Sequence, residues 1–408
     1  MIDRRTIPVV AVFAAVFAVL TLCVQTASAQ TYTVLYTFQG GTDGGFPNPG
    51  LIRDSSGNLY GITTTAGNRS DCNNYGCGTV YKLTPSGQFS VLHTFTGGAD
   101  GWPNATWGSL ISDAAGNFYG VASIRGVHGN GVVFRMTPSG GYMVLHSFAS
   151  SPIDGMGPQY TLYQDPLTRV IYGTTFGGGP RGYNGYGTVY ALSKANIVSD
   201  VILHSFNFSD GALPQGSLAA DASGNLYGTA GQGGTAGCGV AFRVTKTGGY
   251  TVLHNFQCAP DGYLPGSVVL DAQGNIYGGT WEGGDATACP FYGCGIIYKI
   301  TPSGQETILH TFRNREGASP NELMFDAQGN LWGTTAYGGA HNDGVIFKIT
   351  TAGTYTDVYD FTGGMNGATP YAGLIQDAEG NFYGTVGGGI MGCIQSGCGM
   401  IFKFTPPH

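Results

Sequence analysis

Beyond residue 30 the chain is built from short apolar runs cut apart by Gly, Pro, Asn, Asp and Ser. One set of runs occupies residues 50–54, 59–63, 78–84 and 90–95, each rich in Val, Ile, Leu, Thr, Tyr or Phe. Turn-bounded runs of this length and composition predict β-strands, and no stretch after the first 29 residues sustains a 3.6-residue period. The four runs, here strands a, b, c and d, then repeat. The signature Asp-x-x-Gly-Asn-(Leu/Phe/Ile)-(Tyr/Trp)-Gly recurs around Tyr60, Tyr119, Tyr172, Tyr227, Tyr277, Trp332 and Tyr383, at steps of 59, 53, 55, 50, 55 and 51 residues. The third copy is degenerate, reading Asp165-Pro-Leu-Thr-Arg-Val-Ile-Tyr172. A unit of this length cannot bury its own faces and must stack on its neighbours.

The order of the runs decides how they stack. The repeats open on a strand d (33–38) and close on a strand c (399–405). Six units are complete and one is split between the ends, which is useful only if the first strand completes the last sheet. The pattern therefore predicts an all-β, seven-bladed β-propeller with four antiparallel strands per blade, its ring closed by the N-terminal strand joining the C-terminal blade. One domain, 30–408, is expected, with the last blade shared by 31–38 and 372–405.

Residues 1–29 fall outside this pattern. Arg4 and Arg5, an apolar run from Val9 to Leu22, and Ala27-Ser28-Ala29 before Gln30 read as a secretory signal peptide. A membrane anchor is the rival reading, disfavoured by the shortness of the run. Leu22 before Cys23 argues against lipidation. Removing the segment takes Lys+Arg from 17 to 15 and Asp+Glu from 24 to 23, so the net charge moves from −7 to −8. That balance gives no footing for nucleic acid, and no second apolar span follows. The 71 glycines, more than twice ordinary usage, mark turns, since strand-like runs separate them.

Eight cysteines remain after cleavage. Three C-x4-C loops hold Cys72/Cys77, Cys289/Cys294 and Cys393/Cys398, and Cys238 is expected to pair with Cys258. The c–d turn of the fourth unit centres near Thr247 and Gly248, so facing residues sum to about 495; Cys238 and Cys258 sum to 496. Zinc is the other use of such spacings, but the pairs lie in different repeats and export favours oxidation.

Leu-Tyr-Gly-Thr-Thr, Gly-Thr-Val-Tyr-Lys-Leu-Thr-Pro-Ser-Gly and Val-Leu-His-Ser-Phe, with Asp-Gly-x-x-Pro between units, resemble the Gloeo/Verruco (GloVer) tandem repeat of exported bacterial proteins. The resemblance spans 31–405. It implies an exported repeat protein, often with a C-terminal sorting anchor, and no established activity. This chain ends Phe404-Thr405-Pro406-Pro407-His408 without an apolar tail. Release or periplasmic residence is the expectation.

The repeated polar residues read as scaffold. His93, His146, His204, His254 and His310 share one strand-d slot, filled by Tyr36 and Tyr359 in the other copies. Each histidine lies on a different blade, on the strand expected outermost, so the five cannot converge on a metal. The Asp before each a–b turn fits a turn-opening residue, with calcium the sharper alternative; otherwise no cofactor is expected. The Asp/Glu/Asn-Gly-x-x-Pro motif reads as a turn, and the basic slot of strand c as solvated or turn-paired.

Function should then sit where the copies disagree. The b–c and d–a loops share one face, and the b–c loops vary most. Their non-repeated residues are Arg69, Asp71, Arg125, His128, Arg181, Tyr183, Trp281, Glu282, Asp285, His341 and Asp343, joined by Trp102 and Trp107 from a d–a loop. Aromatics among scattered Arg, Asp and His suit a glycan or a protein ligand, and equally a solvated rim. Glu282/Asp285 and His341/Asp343 are the tight acid or acid–base clusters, and neither matches a catalytic motif. The leading expectation is a secreted, monomeric binding or interaction module. An extracellular carbohydrate-active hydrolase or lyase using rim carboxylates is the alternative, and a structural surface protein a third.

Overall fold

A computed structural model describes residues 30–47, 50–68, 70, 72–149, 154–193, 201–289, 293–388 and 398–407. The segment 1–29, read above as a signal peptide, lies outside them. Seven separate antiparallel sheets form, and no α-helix occurs among the described residues. The first blade runs Ile52–Arg53, Leu59–Ile62, Thr79–Leu83 and Phe89–Thr94. The seventh combines Ile375–Gln376, Phe382–Val386 and Met400–Thr405 with the N-terminal strand Thr31–Thr37. Thr31 pairs with Thr405 and Thr37 with Met400, so the ring closes as the split repeat requires.

Seven clusters of buried side chains lie between neighbouring blades. Tyr60, Val80 and Phe95 of the first blade meet Leu110, Phe118 and Phe134 of the second. At the seam, Phe38 and Ile401 meet Leu51 and Tyr81. No blade has a core of its own, which is why the repeat is the folding unit but not a domain. The strand-b glycine serves this packing. A Cβ at Gly61 would collide with the Tyr81 hydroxyl, and one at Gly120 would lie 2.7 Å from the Phe134 ring. The glycine thus admits the strand-c aromatic of its own blade, while the strand-b ring before it reaches the next blade: Tyr60 and Phe118 centroids are 4.5 Å apart.

The a–b turn is pinned by its aspartate. Asp54 accepts the N–H groups of Ser56 and Asn58 (both 2.9 Å), the Asn58 amide (2.7 Å) and the Tyr60 hydroxyl (2.9 Å). The Tyr or Trp donor recurs at Tyr119, Tyr227, Tyr277, Trp332 and Tyr383. In the degenerate third blade, Asp165 accepts instead from Leu167, Thr168 and the Lys246 ammonium of the fourth blade. The basic slot of strand c is not simply solvated: Lys82, Lys299, Lys348 and Lys403 sit 5.6–5.9 Å over the strand-b rings of their own blades.

Cys72–Cys77, Cys238–Cys258 and Cys289–Cys294 are disulfides, with Cα separations of 5.4, 5.3 and 5.2 Å. Val240 and Asn255 pair across the fourth hairpin, so residue numbers sum to 495 at its cysteine end. The expected fourth bridge, Cys393–Cys398, is not among these three, because Cys393 lies outside the described residues. Cys398 itself is disulfide-bonded and buried, packed with Phe38, Leu51 and Ile401 at the seam between blades seven and one.

Candidate functional site

The innermost strand, a, is broken in blades three, four and six, after Pro158, Pro214 and Pro320. The residues that follow each proline (Gln159, Gln215 and Asn321) line one common cavity. The slot just before the repeated apolar residue of strand a holds Gly50, Ser109, Thr161, Ser217, Ser267, Glu322 and Gly373. Small side chains there let the blades meet closely. The Ser109 N–H donates to Thr161 Oγ1 (2.8 Å) and the Ser217 N–H to Ser267 Oγ (3.0 Å). A Cβ on Gly373 would lie 3.0 Å from that of Glu322.

These segments line an axial cavity of about 300 Å³, open on one side, to which described residues of six blades contribute. Its rings are Trp107, Trp281 and Tyr371, with Tyr160 and Phe176 beside them; Gln159, Gln215, Asn321 and Glu322 supply polar groups. Trp281 and Tyr371 lie nearly parallel, centroids 6.3 Å apart and planes 12° apart, and Trp107 meets Tyr371 edge-on at 5.8 Å. The Tyr371 and Tyr337 hydroxyls hydrogen-bond at 2.7 Å. Asn321 donates to Pro370 O (2.6 Å) and Thr334 Oγ1 (3.0 Å), which fixes the loop carrying Glu322. Water can touch Glu322 inside the cavity, but the carboxyl sits deep in protein. Burial raises its pKa, and the hydroxyls of Ser217 and Ser267 oppose that only in part.

The residues expected on the rim divide. Trp107 and Trp281 line the axial cavity. Trp102 does not stand on the rim: it is 6% exposed, packed between blades one and two, and its indole N–H donates to Thr64 O at 3.2 Å. Arg125, His128 and His341 are exposed. Arg181 is exposed and lies over Tyr186, 5.2 Å from its centroid, while donating to its hydroxyl at 3.2 Å. Glu282 is half-buried and its pKa is raised by burial. Asp285 has other partners, accepting from Thr287 and lying 3.7 Å from Arg313 Nε. Asp343 borders a separate hollow with Phe46 and Tyr371. Among the described residues no hydrogen bond or ion pair joins Glu282 to Asp285 or His341 to Asp343. Arg69, Asp71 and the Tyr183 side chain lie outside the described residues. Glu322 and Tyr371 escaped the search of variable loops because they occupy repeated positions. The signal was there in the aligned slot, where Glu322 stands among Gly, Ser and Thr.

The two outer motifs prove to be one device. The strand-d histidine meets the acid of the following d–a loop: His93–Asp100 at 3.1 Å, His204–Asp210 and His254–Asp261 at 3.3 Å, His146–Asp154 at 3.4 Å and His310–Glu316 at 3.6 Å. Tyr36 donates to Asp43 at 3.1 Å in the same way. The first strand-d residue of the next blade then stacks on this ring, as in His93–Tyr142 (4.1 Å, 9°), His310–Tyr355 (4.0 Å, 5°) and Tyr36–Phe89 (4.1 Å, 9°). Between blades four and five Glu306 takes the aromatic's place, 3.6 Å from His254 Nε2. Burial, then the neighbouring Asp261, push Glu306 up to about 9. His254, Asp261 and Glu306 each place a ligand atom within 4.8 Å of the others, a donor set that could hold a divalent metal.

The architecture is shared with distant solved structures. Virginiamycin B lyase from Staphylococcus aureus is similar at a TM-score of 0.59 and 14% identity, over 92% of this chain and 99% of that one. The extracellular domains of two proposed hybrid two component systems from B. thetaiotaomicron give TM-scores of 0.55 and 0.53 at 11% and 14% identity. They cover 91% and 93% of this chain, which spans 40% and 41% of theirs. At these identities the likeness is one of fold. No curated protein matches the chain. The profile of the Gloeobacter/Verrucomicrobia repeat matches residues 70–292 and 286–408, and the chain belongs to that repeat family.

Proposed function

We propose that this protein is a secreted binding module that holds a saccharide in its axial cavity. The observation that carries the reading is the lining itself: Trp107, Trp281 and Tyr371 offer apolar ring faces, and Gln159, Gln215, Asn321 and Glu322 offer hydrogen-bonding groups around a concave space. Concave pockets of about 300 Å³ and upward, with apolar walls and a few converging polar groups, are where small ligands bind. Export is supported by the N-terminal pattern and by three disulfides. Among the described residues no helix is long and apolar enough to cross a membrane.

Among the described residues the cavity is lined by one carboxyl, where glycoside hydrolysis ordinarily uses two flanking the scissile bond. That favours binding over turnover. A glycan array read beside hydrolysis and lyase assays tests the proposal. Saccharide binding without turnover, lost in Trp281→Ala, is the expected result. Turnover abolished by Glu282→Ala or Asp343→Ala would replace the module with an enzyme. No saccharide bound at all would leave the structural role.

A further inference from the structure

Glu322 is the anomaly of the axial ring. Six of the seven equivalent slots hold Gly, Ser or Thr, and those residues are small enough for the blades to meet. Packing therefore does not call for a carboxyl there, and burying one is costly unless something compensates its charge. Among the described residues that line the cavity there is no Lys, Arg or His. Among the described residues, Glu322 is met by the hydroxyls of Ser217 and Ser267.

We infer that the saccharide is an amino sugar, whose free ammonium lies against Glu322 while its ring rests on the tryptophan and tyrosine faces. This inference rests on the saccharide reading above and specifies the ligand. An ammonium gives Glu322 a charge-assisted hydrogen bond, stronger than one from a neutral hydroxyl. The faces of Trp281, Trp107 and Tyr371 attract the same charge through their quadrupoles. A neutral sugar leaves the carboxyl without a counter-charge. An acidic sugar adds a second negative charge, with no Lys, Arg or His among the described lining residues to meet it. Binding transfers no group: Glu322 sheds its proton to solvent if it carries one, and the ammonium keeps its own.

Three β-1,4-linked disaccharides of nearly equal shape separate these cases: the free diamine of chitobiose, N,N′-diacetylchitobiose and cellobiose. Affinities are read by tryptophan fluorescence and calorimetry at pH 6, where the sugar amine is protonated. The diamine is expected to bind at least about tenfold more tightly than either neutral sugar. Glu322→Gln should erase that preference, bringing the diamine to the affinity of the neutral sugars measured on the same variant. Glu322→Ser, which restores the residue of blades four and five, should do the same and guards against a folding defect. Equal or tighter binding of the neutral sugars, or a preference that survives both substitutions, overturns the inference while the saccharide reading stands. If none of the three binds, the amino-sugar inference falls, and the glycan array decides the saccharide reading.

Discussion

Phe38→Ala tests whether the ring is closed by the chain's first strand. Phe38 follows directly on that strand, is 1% exposed, and packs among Leu51, Leu59, Tyr81 and Ile401 at the seam between blades seven and one. Its ring meets Tyr81 at 5.1 Å and Phe89 at 5.6 Å, both edge-on. Phe95, the same residue of blade one, is fully buried and meets Phe134 at 5.7 Å and Tyr142 at 5.9 Å, also edge-on. The two sites are equal in burial and ring geometry, although one joins strands over 360 residues apart in the chain. Truncating a buried phenylalanine costs about 3–5 kcal/mol, and edge-on ring pairs account for about 0.5–1.5 kcal/mol of that. Urea unfolding of Phe38→Ala and Phe95→Ala, with disulfides intact, should give losses that agree within about 1 kcal/mol. A loss below about 1 kcal/mol for Phe38→Ala beside the full loss for Phe95→Ala would mean that the N-terminal strand is an accessory, and the closed ring would be wrong.

Three further outcomes follow from the same packing. Burial opposes ionisation of Asp113, but its bonds from Asn117, Tyr119 and Ala115 win and hold its pKa at about 2, below 3.8. The folded value is depressed, so this stability is present above pH 3.8 and lost as pH falls through 2; melting temperature should hold to about pH 4 and drop below it, less steeply in Asp113→Asn. Glu306 shifts the other way, from 4.5 toward 9, so the folded state keeps a proton the unfolded chain releases. That contribution is full below pH 4.5 and fades up to about pH 9; Glu306→Tyr, which restores a stacked ring like that of His310–Tyr355, should flatten this slope and raise stability at pH 8. Removing only the Cys238–Cys258 link, by replacing both residues with Ser, deletes a cross-link of sequence separation 20; the variant should lose about 3 kcal/mol in urea unfolding.

Much of the fold was legible because the code is repeated and local. Turn-bounded runs marked every blade, and the split between a first strand d and a last strand c marked the closure, because a half-blade has no other use. The cysteine pairing of the fourth blade could be read by counting across one hairpin. The site was less legible. Trp102 looked like a rim aromatic, but its loop folds inward and its indole fills a blade junction. Glu282 and Asp285 are near in sequence, yet Asp285 has Arg313 as its partner. The axial cavity joins residues from six blades, a convergence that depends on ring geometry rather than on any local run. The bond between the histidine slot and the next loop's acid is likewise a contact across a turn, visible as two motifs but not as one pair.

The axial cavity is the central claim, and the direct measurement is the saccharide affinity of cavity and rim variants side by side. Trp281→Ala removes a ring from the cavity wall, and anchoring tryptophans of this kind carry about 2 kcal/mol or more. It should weaken the tightest saccharide by at least about thirtyfold. A rim variant carrying Arg125→Ala, His128→Ala and Arg181→Ala, all exposed, should bind within about twofold of the unaltered protein. Affinity retained in Trp281→Ala and lost in the rim variant would place the ligand on the outer loops and contradict the account.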